Sequence, residues 1–226
     1  MTAVFVTATG TDIGKTFVTT GLIRHFRAAG RPVDAIKPVV SGFDPDASQA
    51  SDPAALLTAL GRPLAREELD RISPWRFTAP LSPDLAARQE GRAVPFPEVV
   101  EFCRRAIAAC SRGMLLIEGI GGVMVPLDEH RTVLDLMSLL RIPIVLVAGS
   151  YVGTLSHTLT SLEVVARRNL DIAMVVVSES DGSAASLDDT VATLQRFAGA
   201  LDVIGLPRLA RDAGEHPAFA RIAALI

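Results

Sequence analysis

The sequence predicts a three-layer α/β fold, in which a mostly parallel central sheet is covered by helices on both faces. Short apolar runs alternate along the chain with longer amphipathic segments. Most of these runs lack the polar–apolar alternation of half-exposed strands, which is typical of strands buried on both faces. Proline and glycine lie at the joins, as in Gly30-Arg31-Pro32 and Arg141-Ile142-Pro143. These three observations favour alternating strands and helices in one layered unit.

The predicted strands are short and apolar: Ala3–Ala8, Val33–Val39, Gly113–Glu118, Pro143–Ala148, Ile172–Ser178 and Val203–Leu206. The predicted helices are amphipathic: Lys15–Ala29, Asp52–Leu60, Pro83–Gln89, Pro97–Cys110, Thr132–Leu140, Leu155–Asn169 and Leu187–Ala200. The stretch Ser41–Gly91 has no strand of its own, so we expect a helical insertion there, over one edge of the sheet. No repeat or linker divides the chain, so we expect a single domain over residues 1–226.

Composition excludes several classes of protein. The net charge of −3 and the pI of about 5.8 give no basic field for nucleic acid or anionic lipid. The longest apolar runs, such as Ile142–Gly149, are too short to span a membrane. The two cysteines form no CxxC motif and the four histidines are scattered. We therefore expect a reduced, cytoplasmic protein without a histidine-built metal site.

The first predicted strand runs into TGTDIGKT, Thr9 to Thr16, which opens the first predicted helix. Gly10 and Gly14 permit backbone conformations in which successive N–H groups point at a phosphate. The helix N-terminus adds partial positive charge, Lys15 would reach the β- and γ-phosphates, and the Thr16 hydroxyl would coordinate Mg²⁺. The usual phosphate-binding loop has glycine where Thr9 stands, but strand, glycines, Lys-Thr and helix occur in order. We therefore expect a P-loop NTPase-like fold.

Two further charged residues lie at predicted strand ends. The second strand ends in KPVVSG with Lys37, and the third runs into LLIEGIGG with Glu118. In parallel sheets, ligands bind beyond the carboxyl ends of the strands, so both side chains should face the same crevice as the loop. A half-buried lysine there calls for an anionic partner, and a carboxylate can hold Mg²⁺ through its oxygens.

These motifs resemble the dethiobiotin synthetase family. The matching stretches are TGTDIGKT, KPVVSG, Ser51-Asp52, APLSP (Ala79–Pro83), IEGIGG and VGTLSH (Val152–His157), in the family's order from end to end of the chain. The pair KPxxSG and EGxGG is the specific part of the resemblance. It implies an ATP-dependent, Mg²⁺-requiring ligase of biotin biosynthesis that closes the ureido ring of 7,8-diaminopelargonate with CO₂ or bicarbonate as co-substrate. It also implies a homodimer.

The resemblance implies roles for matching positions. Lys37 and Lys15 are similar to the catalytic lysines, and Thr16, Asp52 and Glu118 to the Mg²⁺ ligands. The implied nucleotide-binding set is Asp12, Ile13, Gly14, Lys15, Thr16, Phe17, Asp52, Glu118, Gly119, Ile120, Gly121, Ser178, Glu179, Pro207, Arg208 and Leu209. The implied substrate-binding set is Thr11, Ser41, Gly153, Thr154, Leu155 and Ser156, the last four at a helix start that receives the substrate carboxylate across the dimer interface.

Some positions depart from the family pattern. Asp84 stands in place of histidine after APLSP, Ser156 in place of asparagine, and Ser178-Glu179 in place of the adenine-reading Asn-Asp. The last change affects base selectivity rather than the reaction.

Three other functions compete with this interpretation. A partitioning-type ATPase switch shares the layered P-loop fold, but such proteins have an additional lysine early in the loop, and none precedes Lys15. An amide-forming ligase acting on a corrinoid acid commonly carries a glutamine-hydrolysing domain, for which 226 residues leave no room. A non-enzymatic nucleotide-binding module would give Lys37 and Glu118 no role.

Overall fold

A six-stranded parallel sheet forms the centre of the structure, a computed structural model that describes residues 3–209 and 216–226. Its strands are β1 (Ala3–Ala8), β2 (Val33–Ile36), β5 (Met114–Glu118), β6 (Ile144–Gly149), β7 (Ile172–Ser178) and β8 (Val203–Leu206). They lie in the order β2-β5-β1-β6-β7-β8, and every pair is parallel. All six residues of β1 and of β6 are buried, which explains why these runs are apolar apart from Thr7.

Helices cover both faces of this sheet. They are α1 (Lys15–Ala28), α2 (Asp52–Leu60), α3 (Arg66–Ile72), α4 (Pro83–Gln89), α5 (Phe96–Ala109), α6 (Val133–Leu140), α7 (Thr154–Arg167), α8 (Leu187–Phe197) and α9 (Pro217–Ala224). The chain moves from β1 to β2 in one direction and from β6 to β7 in the other, so right-handed crossovers put α1 and α7 on opposite faces. Accordingly, α1 packs on α2 and α9, and α7 packs on α8. The three-layer prediction is confirmed.

Local chemistry sets several helix starts. Ser51 accepts a hydrogen bond from the backbone N–H of Ala54 and so caps α2, with Pro53 in the first turn. Thr132 and Asp135 form a reciprocal capping box at the start of α6. No helix within residues 3–209 and 216–226 is both long and apolar enough to cross a membrane.

The region 41–91 differs from the prediction. It is largely helical, but it does contain a strand, β4 (Trp75–Arg76), which pairs in parallel with β3 (Val39–Val40). The predicted strand Val33–Val39 is therefore also wrong at its end: β2 stops at Ile36, and the chain leaves the central sheet at Lys37-Pro38. Proline has no N–H to donate to a sheet ladder, so a strand change at this point is physically favoured.

Two helices were not predicted, α3 and α9. Both are short, with seven and eight residues, and they are held by tertiary contacts rather than by a long periodic pattern. The Phe219 ring of α9 lies 6.1 Å from that of Phe17 on α1, centroid to centroid. The remaining predicted boundaries agree with the structure to within three residues.

Candidate active site

The loop between β1 and α1 has the conformation of a phosphate cradle. Asp12 and Gly14 adopt positive φ angles of 56° and 103°, which turn the backbone so that neighbouring N–H groups point to one side. A side chain at Gly14 would also be obstructed, because its Cβ would lie 2.7 Å from Ser178 Oγ. Gly14 caps α1 without a side-chain hydrogen bond, so the first N–H groups of the helix remain free for an anion.

A cavity of about 690 Å³ opens over this loop. Its walls come from five parts of the chain: the loop and the start of α1, the segment after β2, the start of α2, residues 80–83 at the start of α4, and the loop after β5. Among the predicted site residues, those that line it are Thr11, Asp12, Gly14, Lys15, Thr16, Phe17, Lys37, Ser41, Asp52, Ile120 and Gly121. The structure thus gathers most of the predicted nucleotide and reaction residues around one space.

A lysine and two carboxylates meet at the floor of the cavity. Lys37 Nζ donates a hydrogen bond to Glu118 Oε1 at 2.7 Å and another to Asp52 Oδ2. Thr16 Oγ1 donates to the same Glu118 oxygen at 2.6 Å. The side chain of Glu118 is fully buried and that of Lys37 is 4% exposed, whereas Asp52 is 46% exposed. Glu118 does not line the cavity itself, but it holds two residues that do.

The buried charges shift one another's pKa values. Burial works against the charged form of Lys37, but Glu118 and Asp52 outweigh it and raise the pKa of the Lys37 ammonium. Burial likewise works against the charged form of Asp52, but the Lys37 charge and hydrogen bond lower the pKa of that carboxyl. Both groups are therefore charged at neutral pH. Burial, and next the charge of Lys37, lower the pKa of Lys15 to about 8.

The Lys15 shift predicts a pH dependence. Phosphates favour the protonated lysine, so kcat/KM for ATP, which reports the free enzyme, should fall about tenfold per unit as the pH rises above about 8. The measurement is a kcat/KM profile for ATP at saturating co-substrates. A Lys15→Arg variant keeps its charge across this range, so the affinity of a non-hydrolysable ATP analogue for it should not fall there. A wild-type profile that stays flat well above pH 8 would contradict the prediction.

The donor set fits Mg²⁺. Glu118 Oε2 is buried and has no hydrogen-bond partner, so one carboxylate oxygen is available beside Thr16. Within the part of the chain that the structure describes, no group of three or more His, Cys, Asp or Glu side chains is placed to hold a metal ion. Two carboxylates and one hydroxyl are nevertheless the kind of incomplete set that Mg²⁺ takes when phosphates and water complete its shell. Thr16, Asp52 and Glu118 are therefore the residues that could hold the ion.

Other predicted site residues lie outside the cavity lining. Ile13 and Gly119 flank lining residues in the chain without contributing to it. Ser178 ends β7 and lies against Gly14 of the phosphate loop. The others follow the ends of β7 and β8 and do not line the cavity: Glu179, Pro207, Arg208 and Leu209. Gly153, Thr154, Leu155 and Ser156 begin α7 and line no part of this cavity.

Two features of the site have only weak signals in the sequence, and a third is compositional. Leu81 and Ser82, from the APLSP stretch, line the cavity, and the motif alone marks them. The Oγ of the buried Ser73 donates a hydrogen bond to the backbone carbonyl of Lys37 at 2.6 Å. The two residues are 36 positions apart in the sequence, so no local sequence pattern predicts this contact. Finally, Lys15 and Lys37 are the chain's only two lysines, and all other Lys/Arg positions are arginine.

Comparison with known proteins gives the chain a family. The AAA domain family matches residues 2–211. The ATP-dependent dethiobiotin synthetase BioD of Caulobacter vibrioides (strain NA1000 / CB15N) is 49% identical over 215 residues, which is 95% of this chain and 96% of that protein. The protein of the same name from Phenylobacterium zucineum is 48% identical over 92% of this chain and 89% of its own length.

Two solved structures share the fold. The MinC:MinD cell division complex of Aquifex aeolicus aligns with a TM-score of 0.56 at 10% identity, over 100% of this chain and 93% of that one. Apo McdA of Cyanthece aligns with a TM-score of 0.53 at 10% identity, over 99% and 93%. At such identities the likeness shows the fold alone.

The fold and site define a P-loop enzyme that uses ATP, with a lysine–carboxylate cluster beside the phosphate cradle. Within that class, the chain belongs to the ATP-dependent dethiobiotin synthetase family.

Proposed function

We propose that this enzyme converts 7,8-diaminopelargonate, CO₂ and ATP into dethiobiotin, ADP and phosphate, with Mg²⁺ bound by Thr16, Asp52 and Glu118. The observation that carries the proposal is the cluster of Lys37, Asp52 and Glu118 against the phosphate loop, in one cavity with Ser41. The chain acts as one domain, residues 1–226, with region 41–91 inserted over the cavity edge. Its two free cysteines are consistent with a cytoplasmic location.

The reaction asks the protein for positioning and positive charge rather than for a nucleophile. One substrate amine adds to CO₂, loses a proton and gives a carbamate. A carbamate oxygen attacks the γ-phosphorus and ADP leaves, which forms a carbamic–phosphoric anhydride. The second amine then attacks the carbonyl carbon and loses a proton, and phosphate leaves as the ring closes. Bound Mg²⁺ supplies charge neutralisation for the phosphates.

The residues of the chain divide this work by position. Backbone N–H groups of Asp12 to Phe17 cradle the phosphates, with Lys15 on the transferred group. Lys37 holds the carbamate oxygens and the transferred phosphoryl group, whose negative charge increases in the transition state. Thr11 and Ser41 bind the diamine end of the substrate from the cavity wall, and Ile120 and Gly121 close the side beside the phosphates.

Release of ADP tests the proposal directly. We expect ADP release from ATP and Mg²⁺ to be negligible until both a vicinal diamine of this type and bicarbonate are added, with dethiobiotin formed in equal amount. The control omits one component at a time. Rapid hydrolysis without diamine or bicarbonate would instead indicate an ATPase switch.

We further propose a homodimer in which the start of α7 completes the substrate site of the partner subunit. Gly153 has a φ of 97° and caps the helix without a side-chain bond. The Thr154 N–H donates to Tyr151 O at 3.1 Å, so the N–H groups of Leu155 and Ser156 are the ones left for an anion. Leu155 and Ser156 are exposed, and Val152 is 83% exposed beside them. Such a surface supports a helix start that binds the substrate carboxylate between two subunits.

Substitutions at this helix start should separate backbone from side-chain binding. Gly153→Asp should raise KM for the diamine about tenfold or more, because it adds a like charge beside the carboxylate and strains the backbone. Ser156→Ala should change KM little, because backbone N–H groups carry the contact. Steady-state kinetics with sedimentation analysis is the measurement. A stably monomeric protein with full activity would contradict the arrangement.

Base selection should be loose. Ser178 offers a single hydroxyl in place of an amide, so it cannot make a two-point contact with a base. Glu179 Oε2 accepts a hydrogen bond from the backbone N–H of Arg208 at 2.8 Å, so that N–H is already occupied. We expect CTP and GTP to support ring closure with kcat/KM within about a hundredfold of ATP. Side-by-side kinetics tests this, and an ATP preference above about a thousandfold would refute it.

A further inference from the structure

Lys37 lines the cavity, but its ammonium is hydrogen-bonded to two carboxylates. Two of its three N–H donors are used by Asp52 and Glu118, and its side chain is 4% exposed. Its backbone is fixed independently: the N–H donates to Ile72 O at 2.9 Å, and the carbonyl accepts from Ser73 Oγ at 2.6 Å. The main chain is therefore held on both sides, while the four-carbon side chain can still change direction.

The same two carboxylates are the proposed metal ligands. Five charged groups lie at or beside the cavity floor, the cations Lys15 and Lys37 and the carboxylates of Asp12, Asp52 and Glu118, and with both lysines protonated their charges sum to −1. A divalent cation added to this largely buried group would raise the sum to +1, and excess positive charge is unfavourable where burial limits solvation. Lys37 makes direct contact with both carboxylates, whereas Lys15 Nζ contacts the carbonyl of Gly10 at 3.1 Å and neither of them.

We propose that Lys37 is an internal counter-ion that occupies the Asp52–Glu118 pair until the metal binds, and that metal binding releases its ammonium into the cavity. This inference rests on the proposed function only for the identity of the metal ligands. It assigns Lys37 two roles. Before the metal binds, its ammonium offsets the repulsion between the carboxylates of Asp52 and Glu118, and after the metal binds it faces the reacting atoms. The active arrangement of Lys37 then forms only once the metal is in place.

Metal affinity without nucleotide or diamine tests the competition. We expect Lys37→Met to bind Mn²⁺, read by electron paramagnetic resonance, at least about tenfold more tightly than the wild type, within the range of coupled binding events. The matched control is Lys15→Met, which removes the same charge from the same cavity without touching either carboxylate. Its Mn²⁺ affinity should rise much less than that of Lys37→Met, because Lys15 contacts the carbonyl of Gly10 and neither carboxylate. Equal affinities in the wild type and Lys37→Met, or equal gains in both variants, would overturn the proposal.

The wild-type protein provides a second readout that does not depend on a variant folding. Because the chain has two lysines, labelling with [ε-¹³C]lysine gives two side-chain signals, and Lys15→Met identifies the one from Lys37. Saturating Mg²⁺ should move the Lys37 signal well away from its metal-free position and the Lys15 signal much less. A Lys37 signal that stays in place while the site is saturated would show that the ammonium is not displaced.

Two further variants separate this inference from the proposed function. Asp52→Asn and Glu118→Gln should each abolish Mn²⁺ binding, because each removes a ligand. Mn²⁺ binding retained in both would refute the metal site itself, and with it the competition. Loss of binding in both, together with unchanged affinity in Lys37→Met, would refute the competition alone and leave the ligase proposal standing.

Discussion

Replacing Lys37 with methionine should lower ring-closing turnover by at least about a hundredfold, equivalent to about 2.7 kcal/mol of transition-state stabilisation. The physical reason is that the transferred phosphoryl group and the carbamate lose the cation that would face them. Steady-state turnover at saturating ATP, diamine and bicarbonate is the measurement. Because binding through the phosphate loop does not use Lys37, KM for ATP should change much less than kcat.

Stability must be followed in the same variant. Removing Lys37 leaves the buried carboxylate of Glu118 without its cation, so Lys37→Met should have a lower melting temperature than the wild type. Its turnover should therefore be measured well below that melting temperature. Lys37→Arg keeps the charge and serves as the second variant: it should be more stable than Lys37→Met and still slow, because a planar guanidinium does not replace a compact ammonium. The control is Arg62→Met, which removes a cation paired with Asp34 away from the cavity and should turn over normally. Near-normal turnover in folded Lys37→Met would refute the catalytic assignment.

Replacing Glu118 with glutamine should reduce ATP-dependent turnover by about a hundredfold or more. This carboxylate accepts hydrogen bonds from both Thr16 and Lys37 and has a further buried oxygen without a partner. Glutamine has almost the same shape but is neutral. Its NH₂ group donates hydrogen bonds, so it cannot accept those that Thr16 and Lys37 donate to Glu118. The Mg²⁺ concentration for half-maximal activity should rise in parallel, which a purely structural role for Glu118 would not cause.

Two comparisons make the Glu118 result interpretable. Asp52→Asn should reduce turnover in the same direction and destabilise the fold less, because Asp52 is 46% exposed and water can compensate part of the loss. Glu98→Gln, on the exposed first turn of α5, changes the same functional group away from the cavity and should leave turnover unchanged. If Glu118→Gln showed normal turnover with an unchanged Mg²⁺ requirement, the metal assignment would be wrong.

Much of the fold could be read from the sequence because its signals are local. A strand buried on both faces is apolar nearly throughout, and β1, β6 and the buried middle of β7 show this in short windows. The phosphate loop is likewise contiguous, because strand, glycines, Lys15 and helix follow one another within about a dozen residues. Its conformation is therefore specified by neighbouring residues in the sequence. The parallel order of strands then brings Lys37 and Glu118 to the same edge of the sheet.

Other features depend on contacts between distant segments, and no local window contains them. The separation of β3 from β2 follows from pairing with β4, which lies 35 or more residues further along the chain. Helix α9 is too short for a clear periodic signal, and its Phe219 packs against Phe17 of α1. The sequence marks Lys37, Asp52 and Glu118 as separate candidates. Only the tertiary structure joins them in one hydrogen-bonded ion cluster, because a buried lysine pairs with whatever carboxylates the packing brings within reach, and that packing is set by the whole chain.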